Sequence, residues 1–317
     1  KIKLEVIYNK VKIFSRLFIF YLITGLVLLI SLIFQLFKRS KIISFLVVFC
    51  KWLIISGFLF HSVGLAIRWY ISGHAPWSNG YESMIYIAWA TVFSGLFFSR
   101  SSLLTLSATA VVSSLLLMVA HLNWLDPEIT NLVPVLKSYW LMIHVSIITA
   151  SYGFFALGAI LGLISLWLII FTNKRNVVKF KNTLSELTII NDKTLEIGLF
   201  MLTIGTFLGG IWANESWGRY WGWDPKETWA LISVLVYAII LHLRFIPKLK
   251  NKYVFNVCSM FAIWTIIMTY FGVNYYLSGL HSYAAGDPMP IPSFVYYLTI
   301  IMILSAVFSR INYKKYY

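Results

Sequence analysis

Residues 139–172 read YWLMIHVSIITASYGFFALGAILGLISLWLIIFT, a run without one Asp, Glu, Lys or Arg. As an α-helix rising about 1.5 Å per residue, it is long enough to cross the roughly 30 Å hydrocarbon core of a bilayer. The rest of the chain repeats this pattern. Of its 317 residues, 60% are hydrophobic and 12% charged, against roughly 45–50% and 25% in soluble domains. Apolar blocks between charged or Pro/Gly-rich breaks give nine candidate spans, near 17–37, 42–67, 84–99, 102–123, 139–172, 195–213, 228–246, 253–279 and 293–309. The third, at sixteen residues, is the shortest. The expected fold is all-α, a polytopic transmembrane helix bundle of about nine spans embedded in membrane lipid.

A formal net charge of +15 could suggest a nucleic-acid partner, but the basic residues sit between the apolar blocks, so no nucleic acid is expected. If Lys38, Arg39 and Lys41 are cytoplasmic, sixteen Lys and Arg fall in cytoplasmic segments, against Arg68, Lys137, Arg219 and Lys226 in the opposite loops. That bias is the positive-inside pattern of short loops and puts the C-terminus in the cytoplasm. The same parity places the basic residues 1–16 outside. Either a translocated domain precedes Lys1 or the first span is misassigned. Cys50 and Cys258 lie inside apolar stretches without metal or redox spacing and read as small core residues. No hydrolase or nucleotide-binding motif is evident.

The informative segments are the outer loops, above all 212–229, WANESWGRYWGWDPKETW, which holds five of the thirteen tryptophans. An interfacial aromatic belt would spread over many helix ends. Here Trp212, Trp217, Trp221, Trp223 and Trp229 share one connection with Gly218, Gly222 and Pro225, a platform for a flat apolar ligand such as haem. Arg219 and Lys226 are the basic residues available to its propionates. Asp224 followed by Pro225 reads equally well as the cap of the next helix. An iron porphyrin needs axial donors, for which His74, His121, His144 and His281 are candidates at the outer side, while His242 lies within a span, about 20 Å or more from that side. An ionisable residue within a span is a functional candidate, with an imidazole bonded to a neighbouring helix as the plain alternative. His61, also within a span, reads as packing.

The run WANESWGRYWGWDPKETWA resembles the WWD signature of haem-handling proteins, in particular the CcsA-type (ResC-like) component of the system II cytochrome c synthase. SGHAPWSNGYES at 72–83, WLMIHVS at 140–146, LHLR at 241–244 and FGVNYYLSGLHSY at 271–283 resemble that component's other segments in order and spacing. Residues 61–317 thus read as a CcsA-like domain containing the WWD loop 212–229, and residues 1–60 as an unmatched basic segment and first helix. The resemblance implies His144 and His281 as axial ligands of haem b at an external site, with Trp212, Trp217, Trp221, Trp223, Asp224 and Trp229 forming the platform. It implies His242 as one ligand of an intramembrane site whose other histidine comes from a CcsB-type partner, separate or fused as in CcsBA-type proteins. The implied activity is that of a holocytochrome c synthase (haem lyase) component. It conveys haem to the WWD site and presents it to the CxxCH motif of apocytochrome c in a bacterial cytoplasmic membrane, with the loop facing outside, or in a thylakoid membrane. The alternatives are a haem carrier that loads a separate chaperone and a haem-binding redox subunit.

Overall fold

The computed structural model describes residues 1–37, 40–121, 125–129, 138–280 and 290–317. Among the described residues it is helical throughout, without strands, and eight helices are long and apolar enough to cross a membrane. The chain divides into two compact units, Lys1–Leu157 and Gly158–Tyr317.

The first unit contains α1 (Ile2–Val11), α2 (Ile13–Phe37), α3 (Lys41–Ser72), α4 (Gly80–Phe98), α5 (Leu103–His121) and the beginning of α6 (Tyr139–Ile170). A left-handed Lys12 (φ 48°) separates α1 from α2. Helix association in lipid depends on close backbone approach and interhelical hydrogen bonds rather than on apolar burial. The sequence supplies small residues for this. Ser107, Ala108, Thr109, Ala110, Ser113 and Ser114 of α5 are buried, as are Ala88, Ala90, Thr91 and Ser94 of α4. Ser113 Oγ donates to the Ala88 carbonyl at 3.0 Å. Gly95 leaves room for Thr109, and a Cβ on Gly153 of α6 would come within 2.8 Å of the Thr91 backbone nitrogen.

The second unit contains the rest of α6, α7 (Val177–Trp217), α8 (Pro225–His242), α9 (Lys252–Ile267), α10 (Val273–Tyr276) and α11 (Ser293–Tyr316). A π-helical turn over Met268–Gly272 joins α9 to α10. Several buried polar side chains of this unit pair with one another, as an apolar surround favours. Asn191 Nδ2 donates to Ser259 Oγ (2.9 Å) and Asn256 Oδ1 (3.3 Å), while Asn256 Nδ2 donates to Thr188 Oγ1 (2.9 Å). A Leu166, Ile169, Leu184, Met260 and Met302 cluster packs beside them. Leu298, Ile301, Leu304 and Phe308 of α11 are exposed, the outward apolar face of a lipid-facing helix.

Three differences from the sequence reading have physical causes. The short third block is a 19-residue helix, α4, outside the eight apolar helices because its first turn carries Glu82 and Ser83. The block at 195–213 is the distal part of a 41-residue helix, α7, since Lys179, Lys181 and Lys193 are good helix formers that read as loop only by their charge. Arg68, assigned to a loop, is 1% exposed inside α3.

Candidate functional site

In the second unit, α7 ends at Gly218 (φ 72°), whose N–H donates to the Asn214 carbonyl at 2.9 Å. Glycine accepts this left-handed conformation without a Cβ penalty. Six residues later Asp224 caps α8, with Pro225 at the first helical position and Glu227 completing a capping box. Trp223 between them also adopts a left-handed backbone (φ 58°), which costs a non-glycine residue roughly 1–3 kcal/mol. Glu227 holds it there. Glu227 Oε2 accepts the N–H of Gly222 at 2.8 Å and that of Asp224 at 3.2 Å, one on either side of Trp223. The Trp223 indole is 71% exposed.

The other tryptophans divide the work. Trp212 is 1% exposed and packs edge-on against Trp217, centroids 4.7 Å apart, rooting the loop in the unit. Trp221 stands perpendicular to Trp223 at 5.8 Å. Trp229 lies in α8, its carbonyl accepting from Thr269 Oγ1 at 3.2 Å. The Arg219 guanidinium lies over Trp217 at 5.9 Å and 4.0 Å from Glu227, and Lys226 Nζ donates to Asn274 Oδ1 at 3.0 Å.

Asp224 does more than cap. Its Oδ2 accepts the Lys226 N–H at 3.2 Å, and its Oδ1 accepts the Leu280 N–H at 2.6 Å. The backbone approaches closely here: a Cβ on Gly279 would meet the Asp224 carboxylate and lie 2.8 Å from Pro225 Cδ. His281 itself lies outside the described residues, but its neighbour Leu280 is tied to the loop's aspartate.

His144 is in the first unit, 6% exposed near the start of α6, with Nδ1 2.8 Å from the Trp140 carbonyl. A carbonyl only accepts, so Nδ1–H is the donor, and the ring is oriented by the backbone of its own helix. His242, at the end of α8, has the same geometry, with Nδ1 2.6 Å from the Ala238 carbonyl, and its ring is exposed on the surface of the chain. Beyond it Arg244 bridges Asp192 (3.0 Å) and Glu196 (3.3 Å).

His61 is fully buried, with Nε2 3.0 Å from the Ile85 carbonyl and the ring among Phe14 and Tyr21. His121 contacts Ser15 Oγ at 3.1 Å. His74 Nδ1 lies 3.2 Å from the Ala75 carbonyl. Among the described residues no three His, Cys, Asp or Glu side chains converge as a bare metal site requires. A porphyrin supplies its own four equatorial nitrogens and asks the protein only for axial donors.

Sequence reasoning passed over one further cluster. Glu82, in the segment 72–83, is fully buried, with Oε1 2.8 Å from Arg68 Nε and Oε2 accepting the Ser78 N–H at 3.0 Å. Arg68 and Glu82 both lie at the borders of apolar segments, and no local pattern marks them as partners.

Comparison with known proteins places these segments. Residues 77–281 match the family described as Cytochrome C assembly protein. Protein NrfI of Wolinella succinogenes is 49% identical over 295 residues, covering 92% of this chain, which corresponds to 32% of that protein's length. The cytochrome c biogenesis protein CcsA of Prochlorococcus marinus is 35% identical over 261 residues, covering 73% of this chain and 82% of that protein. Its counterpart in Chlamydomonas reinhardtii is 38% identical over 231 residues, 69% of this chain and 64% of that protein. The fold resembles the structure of Cytochrome c Heme Lyase CcmF, with TM-score 0.59 at 12% identity, over 96% of this chain and 51% of that one. The chain is thus a multi-pass membrane protein of cytochrome c biogenesis, belonging to the cytochrome c assembly protein family as a CcsA-type member.

Proposed function

We propose that this chain binds haem b against the tryptophan loop, with His144 and His281 as axial ligands, and presents it for thioether formation with the CxxCH motif of apocytochrome c. The observation that carries the reading is the Asp224–Leu280 bond, which joins the loop that would hold the porphyrin face to the residue preceding a proposed ligand. The exposed indole of Trp223, held in a strained backbone by Glu227, suits a surface kept ready for a flat apolar partner. Arg219 and Lys226 are the proposed propionate partners. Lys226 already donates to a neutral amide oxygen, which a carboxylate would replace with a stronger, charge-assisted bond.

The chain's part in the reaction is orientation. His144, held through its Nδ1–H bond to the Trp140 carbonyl, would turn Nε2 toward the iron, and the CxxCH histidine would take the place of one of the two axial ligands. The two cysteine thiols then lie against the haem vinyl groups, and each S–H adds across a vinyl double bond to give a thioether. Holding both partners in reacting geometry supplies most of the acceleration. His242, exposed with its Nδ1–H bonded within its own helix, is the proposed ligand of a second, intramembrane haem whose opposite imidazole comes from a CcsB-type partner, fused or separate.

Haem-loaded protein purified from membranes and mixed with a CxxCH apoprotein tests the activity. Covalent haem on the apoprotein without an added chaperone supports the proposal. Transfer only to a separate chaperone supports the carrier reading instead.

A further inference from the structure

The buried Arg68–Glu82 pair is the most heavily engaged ion pair among the described residues. Arg68 is 1% and Glu82 0% exposed, with Nε and Oε1 2.8 Å apart. The remaining guanidinium nitrogens donate to the carbonyls of Pro127 (2.9 Å) and Glu128 (3.3 Å), in the connection that leads to α6. The arginine also lies over the Tyr81 ring at 5.0 Å. A charge pair this deep is costly to desolvate, and a well-packed apolar pair would serve the fold as well. Its use must lie in what it holds in place.

What it holds is the turn at 75–79. Glu82 accepts the Ser78 N–H (3.0 Å), and the Asn79 side chain accepts the Glu82 N–H (2.8 Å) as the cap of α4. Trp77 sits in this turn. Its N–H donates to the Ala75 carbonyl at 2.9 Å, its carbonyl accepts from Ser83 Oγ at 3.2 Å, and its ring is wedged between Trp69 (5.4 Å) and Tyr86 (4.7 Å). With backbone and ring both fixed, its indole Nε1–H donates to the Met142 carbonyl at 3.1 Å. Met142 is in the first turn of α6, and the His144 ring is bonded to the Trp140 carbonyl in that same turn. The Met142 carbonyl thus receives a donor from outside its own helix, in the same turn as the carbonyl that orients His144.

We infer that Trp77, fixed by the Arg68–Glu82 pair, is a positioning residue for His144, setting the orientation from which that imidazole reaches the iron. The inference rests on the reading of His144 as an axial ligand. Loss of the indole donor lets the first turn of α6 shift. A shift of well under an ångström suffices to weaken a coordinate bond, and losing a group that orients a ligand costs about 10–100-fold in affinity.

The test uses full-length protein purified with the haem it carries. Absorption spectra, haem occupancy and haem reduction potential are compared for Trp77→Phe, which keeps an aromatic ring but loses the donor, for His144→Gly, and for both after added imidazole. The expected result is loss of the bis-imidazole spectrum in both variants, occupancy reduced about 10-fold in Trp77→Phe, a shifted potential, and recovery with imidazole, which a merely misfolded protein would not show. If His144→Gly alters the spectrum and Trp77→Phe leaves spectrum, occupancy and potential unchanged, the inference is overturned while the ligand assignment stands. If His144→Gly changes nothing, the assignment falls and the inference with it. Should Trp77→Phe not accumulate, Ser83→Ala, which frees the Trp77 carbonyl, decides by the same readouts: a weaker shift in the same direction supports the inference, and wild-type behaviour overturns it.

Discussion

Asp224 and Leu280 meet through a 2.6 Å hydrogen bond from the Leu280 N–H to the aspartate carboxylate, 56 residues apart in sequence. The same carboxylate caps α8. One side chain therefore sets both the end of the tryptophan loop and the position of Leu280, the residue before His281 in sequence. Asp224→Ala is expected to lose about 1–2 kcal/mol, as for a lost helix cap, and to lose haem retention as well. Asp224→Asn keeps a cap acceptor and should recover most of the stability, but the weaker neutral acceptor should recover less of the retention. Thermal unfolding and haem content of purified protein separate the two effects.

Gly279 provides the clearance for that bond. A Cβ there would meet the Asp224 carboxylate and Pro225. Gly279→Ala should therefore lower stability by about 1–3 kcal/mol and reduce haem retention, although position 279 carries no side chain. Thermal unfolding with haem quantification checks it, and unchanged retention would separate the close approach from haem binding.

Trp223 should show opposite responses. Its left-handed backbone is one that glycine adopts freely, and its indole is 71% exposed, so the fold gains little from the side chain. Trp223→Gly should leave thermal stability equal or raise it by about 1 kcal/mol while haem binding falls. A drop in stability with haem content preserved would show that the indole belongs to the core.

The Arg68–Glu82 pair predicts strong non-additivity. Replacing either partner alone leaves a buried charge without its counterion and should cost about 3–5 kcal/mol. Arg68→Met with Glu82→Leu should recover much of this stability without restoring haem ligation if the pair serves to hold the Trp77 turn. A double-mutant cycle by thermal unfolding, read together with the haem spectrum, checks both.

Local signals carried much of the fold. The uncharged run at 139–172 is α6, Tyr139–Ile170, and the Asp-Pro-Lys-Glu sequence at 224–227 is the capping box of α8, because both depend on residues close in sequence. Long-range partnerships were not legible. Arg68 looked like a loop charge, since nothing in its position says that it meets Glu82 in the interior. The division among the tryptophans was equally hidden: Trp212 as buried root and Trp223 as exposed, strained face are set by Glu227 and by packing, and composition ranks the five alike. The positive φ at Trp223 has no sequence marker, for asparagine or glycine would ordinarily signal it.

The most direct measurement is the absorption spectrum of haem carried by the purified full-length protein, before and after His144→Gly and His281→Gly, with and without imidazole. The account predicts that each substitution removes the bis-imidazole signature and that imidazole restores it. A bis-imidazole spectrum that persists unchanged in both variants would contradict it.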